Sequence, residues 1–165
     1  MEKPFCWEEI AVLQTSIDDM NPEIYPHVME RLLAGGALDV YLQPLIMKKG
    51  RPGTLLTVLV KNNQQDVERA LHEIFRETST LGVRMRVERR ACLARTIFTV
   101  QTEYGPVRVK AAFTEPNRPR YSPEFADCRA RSAERSVPLQ EVYQAALRAA
   151  EKAAPPHPEP PGHTD

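Results

Sequence analysis

Between residues 10 and 90 the chain alternates apolar runs with amphipathic stretches in one order: strand, helix, strand, strand, helix, strand. Ile10, Val12 and the apolar residues to Ile17 predict a first strand, which stops at the polar run IDDMNPE. Asn21 suits an N-cap and Pro22 the first helical turn. Ile24, Val28, Met29, Leu32 and Leu33 then recur at helical spacing until Gly35-Gly36 ends the pattern. ALDVYLQPLIM predicts a second strand, with Pro44 marking an edge or a bulge. KKGRPG is a turn, and TLLTVLV is apolar enough for a central third strand. QQDVERALHEIFRET predicts a second helix with Val67, Leu71, Ile74 and Phe75 on one face. GVRMRVER alternates Val83, Met85 and Val87 with Arg84, Arg86 and Glu88, as a half-exposed fourth strand would. That succession is the split βαβ arrangement, so the predicted class is α+β. An antiparallel ferredoxin-like sheet would carry its helices on one face.

The remainder extends this fold. RTIFTVQTEYGPVRVKAAF predicts a hairpin turning at Tyr104-Gly105-Pro106. Helices are expected over about 123–135 and 138–153, the second started by Pro138. At 165 residues the length favours one domain, with two small ones as the less expected division. Five of the 15 prolines fall between Pro155 and Pro161, which predicts a disordered or polyproline-like tail over 154–165 and a folded body over 8–153. His157 and His163 are the only metal ligands in that tail, and they make a weak pair.

Formal charge is zero overall, so nothing favours bulk attraction to nucleic acid or membrane. The charge is segregated, however. Residues 1–40 hold eight acids and two bases, and residues 76–135 hold thirteen bases and seven acids. This fits a site for an anion with its cation, or two complementary faces that meet in the fold or in an oligomer. Cys6, Cys92 and Cys128 are far apart and in no CxxC pair, which argues against a zinc or disulfide framework and for a reducing cytoplasm. MEKPFCWEEI is not a secretory signal, and no window has the roughly 20 apolar residues that span a bilayer.

Three clusters can carry chemistry. Asp18 and Asp19 stand together at the end of the first strand; adjacent carboxylates suit a hard divalent cation, or serve the following helix as caps. Lys48, Lys49 and Arg51 surround Gly50 in a tight connection, suited to a phosphate or simply to solvent. RETSTLGVR places three hydroxyls between Arg76 and Arg84 where a helix gives way to a strand, a composition that suits an oxyanion or a polar helix end. In this topology the first and third clusters are expected at one end of the sheet and the β2–β3 turn toward the other. Joining all three would then need a neighbouring subunit. A fourth group, Glu115, Asn117, Arg118, Arg120 and Tyr121 among Pro116, Pro119 and Pro123, is expected to be a rigid loop entering a helix. Cys128 is expected to be buried rather than nucleophilic. His27 and His72, mid-helix, are expected to have packing or surface roles.

Together, TSIDDMNPEIYPHVMERLLAGGALDVYLQP, MKKGRPGTLLTVLV, IFRETSTLGVR, YGPVRVK and PEFADCRARSAERSVPLQEVY resemble the LarC family of nickel insertion proteins, over roughly residues 9–148 and in its C-terminal half. The resemblance implies a cyclometallase that puts nickel into pyridinium-3,5-bisthiocarboxylic acid mononucleotide, forming the nickel-pincer cofactor of lactate racemase. It implies CTP with Mg²⁺ or Mn²⁺, hydrolysis of that CTP, and nickel as substrate metal. Matched residue by residue, it points to Asp18 and Asp19 for the divalent metal. It points to Lys48, Lys49, Arg51, Arg76, Thr78, Thr80 and Arg84 for the nucleotide, and to no catalytic residue. Full-length members carry an N-terminal half with a His-rich segment. This chain is therefore expected to be an excised domain or a natural split piece that works with that half, and as a homo-oligomer.

The rival expectation is a non-catalytic nucleotide-binding module for regulation or oligomerisation. RNA binding on the sheet is disfavoured because paired aromatics are missing from the strands.

Overall fold

The computed structural model describes residues 5–114, 118–153 and 155–156. Glu115, Pro116, Asn117 and most of the proline-rich tail, including His157 and His163, lie outside the described residues. The chain divides into two compact units where length favoured one. The first is Trp7–Arg90, and the second comprises the described residues of Met1–Cys6 and Ala91–Asp165. No helix among the described residues is long and apolar enough to cross a membrane.

The Trp7–Arg90 unit has the predicted α+β, ferredoxin-like topology. Its elements are β1 (Phe5–Ile17), a short 3₁₀ turn (Pro22–Ile24), α1 (Tyr25–Ala34), β2 (Asp39–Ile46), a second 3₁₀ turn (Lys48–Gly50), β3 (Pro52–Lys61), α2 (Gln64–Glu77) and β4 (Arg84–Leu93). The sheet order is β2-β3-β1-β4. β3 pairs antiparallel with both β1 and β2. Side-chain contacts Ser16–Arg84, Gln14–Arg86 and Glu8–Arg90 run in opposite directions along β1 and β4, so that pair is antiparallel too.

Physical chemistry explains the placement. β3 supplies Leu56, Val58 and Val60 to the buried face, and its apolar sequence suits a strand flanked on both sides. β2 carries Pro44, which has no N–H to donate, and it lies at the edge. Ala11 and Leu13 of β1 meet Val28 and Leu32 of α1 and Val67, Ala70 and Ile74 of α2 across one face. Leu13 and Leu56 are fully buried; truncating either to Ala would cost about 2–5 kcal/mol.

Two expectations about this face need correction. Phe75 is 47% exposed, and Ala70 takes the inward position beside Val67 and Ile74. Met85 and Val87 are also about half exposed, because β4 is an edge strand and the helices cover the sheet's middle.

The second unit contains β5 (Arg95–Thr102), β6 (Gly105–Phe113), β7 (Pro119–Pro123), α3 (Phe125–Arg135) and α4 (Leu139–Lys152). The β5–β6 hairpin turns where the Tyr104-Gly105-Pro106 pattern predicts, and Gly105 has a φ of 119°. Residues 119–123, expected to be loop, pair with β6 as a third strand. Its core joins Val100, Val107 and Val109 to Cys128, Val142 and Ala146.

Candidate functional site

The end of β1 fixes the site. Ile17 pairs with Thr54, and Ile46 pairs with Pro52, so the β2–β3 turn lies beside the last residues of β1. α2 also finishes at this end, where β4 begins next to Ser16. The expected separation of the basic turn from the other two clusters is therefore wrong. Each helix carries the chain back across the sheet, so β1 and β2 run the same way and both finish at one end. All three clusters meet within one chain, and a neighbouring subunit is not needed to join them.

The acidic pair is held from two sides. Arg51 Nη1 lies 3.5 Å from Asp18 Oδ2, with the aspartate side chain 21% and the arginine side chain 61% exposed. Ser79 Oγ donates to Asp19 Oδ1. Neither aspartate caps the following helix. Asn21 Oδ1 accepts the Glu23 N–H at 3.1 Å instead, capping the Pro22–Ile24 turn that leads into α1. Asp19 Oδ2 and both oxygens of Asp18 accept no hydrogen bond among the described residues.

The basic turn is tightly wound. The Met47 N–H donates to the Arg51 carbonyl at 2.7 Å, and the Gly50 N–H to the Met47 carbonyl at 3.2 Å. Lys49 (φ 64°) and Gly50 (φ 70°) both take left-handed conformations. For lysine that costs on the order of 1–2 kcal/mol, a strain typical of turns kept for function. Lys48 and Lys49 are exposed and form no ion pair or hydrogen bond among the described residues. Gly53 permits the approach to β1, since a Cβ there would stand 2.8 Å from Met47 Sδ and 2.9 Å from the Ile17 carbonyl.

The third cluster divides into threonines that shape the loop and arginines with partners of their own. Thr78 Oγ1 donates to the Ile74 carbonyl at 2.7 Å and accepts the Thr80 N–H at 3.3 Å, closing the end of α2. The hydroxyls of Thr80 and buried Thr15 both meet the Gly82 carbonyl, at 3.1 and 2.9 Å. These two threonines of the cluster are occupied in shaping the loop. Arg84 reaches Ser16 Oγ at 3.3 Å. Arg76 pairs with Glu77 at 3.1 Å, and Glu77 also lies 3.4 Å from His27 Nε2. Ser79 and Thr15 escaped the sequence reading as individual site residues, and Gly53 was read only as a turn breaker. Ser79 had a signal in the RETSTLGVR block, whereas Thr15 looked like one more strand residue.

This end of the unit gathers the carboxylates of Asp18 and Asp19, the unpaired Lys48 and Lys49, and Arg51 and Arg84, with the Arg76–Glu77 pair at the end of α2. No group of three or more His, Cys, Asp or Glu side chains poised for a metal occurs among the described residues. A cation held by Asp18 and Asp19 would need further oxygen ligands from water or from a bound anion. Hard cations accept that arrangement when they accompany phosphates.

In the second unit Asp127 takes a bidentate pair from Arg108, at 2.8 Å to each oxygen, and accepts the Arg108 backbone N–H. Those hydrogen bonds hold its carboxyl at about 2. Lys110 lies 3.5 Å from Glu124. Cys128 is fully buried, and burial pushes its thiol up, which suits packing and opposes nucleophilic use.

A βαββαβ sheet with its helices on one face, and with carboxylates and basic side chains at one end, places the first unit in the ferredoxin-like class of α+β domains. Comparison narrows the class. Residues 1–143 match the family model described as nickel insertion protein, and the chain belongs to that family. It is 46% identical over 149 residues to the pyridinium-3,5-bisthiocarboxylic acid mononucleotide nickel insertion protein of Acetivibrio thermocellus, covering 90% of this chain and 36% of that protein. It is 44% identical over 140 residues to a putative nickel insertion protein of a Cyanothece species, covering 85% and 34%. The chain thus spans about a third of the length of these curated relatives. Among solved structures it is similar to LarC2, the C-terminal domain of a cyclometallase involved in synthesis of the NPN cofactor of lactate racemase. That likeness has a TM-score of 0.76 at 38% identity, covering 88% of this chain and 99% of that one. A protein from Methanopyrus kandleri shares the fold with a TM-score of 0.64 at 26% identity, covering 90% and 92%.

Proposed function

We propose that this chain is the nucleotide- and metal-handling part of a nickel-pincer cyclometallase. It binds CTP with Mg²⁺ or Mn²⁺ and takes part in inserting nickel into pyridinium-3,5-bisthiocarboxylic acid mononucleotide. The convergence of Asp18 and Asp19 with Lys48, Lys49 and Arg51 at one end of the sheet carries this reading. Lys48 and Lys49 would donate to the triphosphate as unpaired cations, with Arg76 and Arg84 flanking it. Asp18 and Asp19 would hold the divalent ion, which when bound offsets triphosphate charge and polarises a phosphoryl group. Thr78 and Thr80 would act by fixing the backbone of the 78–82 loop.

Nickel is cargo here. The mononucleotide brings its own sulfur ligands, which suit nickel, and the buried Cys128 has no part in its transfer. Complete insertion would draw on the remaining two-thirds of a protein like the curated relatives.

Calorimetry with CTP and Mn²⁺ tests the reading, together with an assay for released phosphate or pyrophosphate. Saturable binding with slow release supports it. Binding without release would favour a regulatory module, and no binding across reasonable salt would end it.

A further inference from the structure

Arg51 belongs to the basic turn, yet its guanidinium is spent on Asp18. We infer that the Asp18–Arg51 pair is a charge exchanger: the site binds a divalent cation weakly by itself and more tightly together with a polyphosphate. The anion draws Arg51 off Asp18 as the cation takes its place. The inference rests on the metal–nucleotide reading of this end of the sheet, and it adds the order in which the two ligands are taken.

The two aspartates are held differently. Asp19 is oriented by a neutral donor, Ser79 Oγ, and has no cationic side chain paired with it among the described residues. Asp18 instead has the Arg51 guanidinium 3.5 Å away. A divalent ion arriving alone must displace Arg51 into the company of Lys48 and Lys49. Three positive side chains then oppose it against two carboxylates. At about 4 Å in water-like surroundings, the repulsion between a divalent ion and one displaced guanidinium weakens binding by on the order of tenfold or more.

An anion meets the reverse situation. Lys48 and Lys49 are exposed and without partners among the described residues, so they receive it first. Arg51 is 61% exposed at its side chain and can swing to a phosphate oxygen without moving the turn. That motion frees Asp18 Oδ2 for the cation. By linkage the cation then raises polyphosphate affinity by the same factor.

The test uses Mn²⁺ itself, followed by electron paramagnetic resonance on the full chain, with and without inorganic tripolyphosphate. Wild type should bind Mn²⁺ weakly alone and more tightly with the anion. Arg51→Gln should bind Mn²⁺ alone about tenfold more tightly than wild type. Arg51→Lys should keep the weak wild-type binding, because it keeps the charge. Adding Asp18→Asn to Arg51→Gln should abolish the gain. Equal Mn²⁺ affinity in wild type and Arg51→Gln, without anion, overturns the exchange. A parallel titration with CTP and Mn²⁺ separates the two readings. If wild type still binds that complex, only the exchange has failed; if it does not, the functional reading falls with it.

Discussion

Arg51 stands 3.5 Å from Asp18, and that contact joins the turn between β2 and β3 to the end of β1. Both side chains are partly exposed, so the pair is worth no more than about 1 kcal/mol to the fold. Its significance lies in where it places three positive charges and two negative ones.

Asp18→Ala and Lys48→Ala should each weaken CTP–Mn²⁺ binding about tenfold or more while shifting unfolding free energy by less than about 1 kcal/mol. Calorimetry and urea unfolding on the same preparations check both halves. A loss of stability at Asp18 with unchanged binding would return that residue to a purely structural role, although Asn21 already fills the capping position.

Lys49 occupies a left-handed backbone conformation that glycine adopts without strain. Lys49→Gly should therefore raise stability by up to about 1 kcal/mol. The same change should lower nucleotide affinity severalfold. Opposite signs in the two measurements would mark the strain as retained for binding.

Gly53 separates the basic turn from β1. Gly53→Ala would drive a methyl group into Met47 Sδ and the Ile17 carbonyl, destabilising the unit by about 1–3 kcal/mol. Binding should fall as well, because the turn must retreat from Asp18. Thermal unfolding with and without CTP–Mn²⁺ would report both effects.

The Asp127–Arg108 clamp gives a pH signature. The folded carboxyl is lowered to about 2, against an ordinary value near 3.8. Its contribution to stability is complete above about pH 4 and is lost as pH falls toward 2, since the unfolded state takes up the proton first. Asp127→Asn should be less stable at neutral pH and should flatten this part of the acid profile. An unchanged slope between pH 4 and 2 would count against the clamp.

Much of the fold was readable along the chain because its signals are local. Helical spacing in 64–77, alternation in the strands and the Gly105 turn concern residues a few positions apart. Pro44 announced an edge because a missing N–H is a property of the residue itself. Phe75, Met85 and Val87 were misplaced because their burial depends on which elements lie above them. The RETSTLGVR hydroxyls suit either an oxyanion or a polar helix end, and Thr78 and Thr80 use theirs on Ile74 and Gly82. Composition cannot say which of several acceptors a hydroxyl will find.

The sequence alone determined the order of elements in the first unit, the family and the chemical character of each cluster, since these follow from residue types and short spacings. Only the tertiary structure decided that Asp18 faces Arg51 and Asp19 faces Ser79. Those contacts depend on the direction in which each strand crosses the sheet. In an antiparallel sheet with two helical returns, that direction sets which loops share an end.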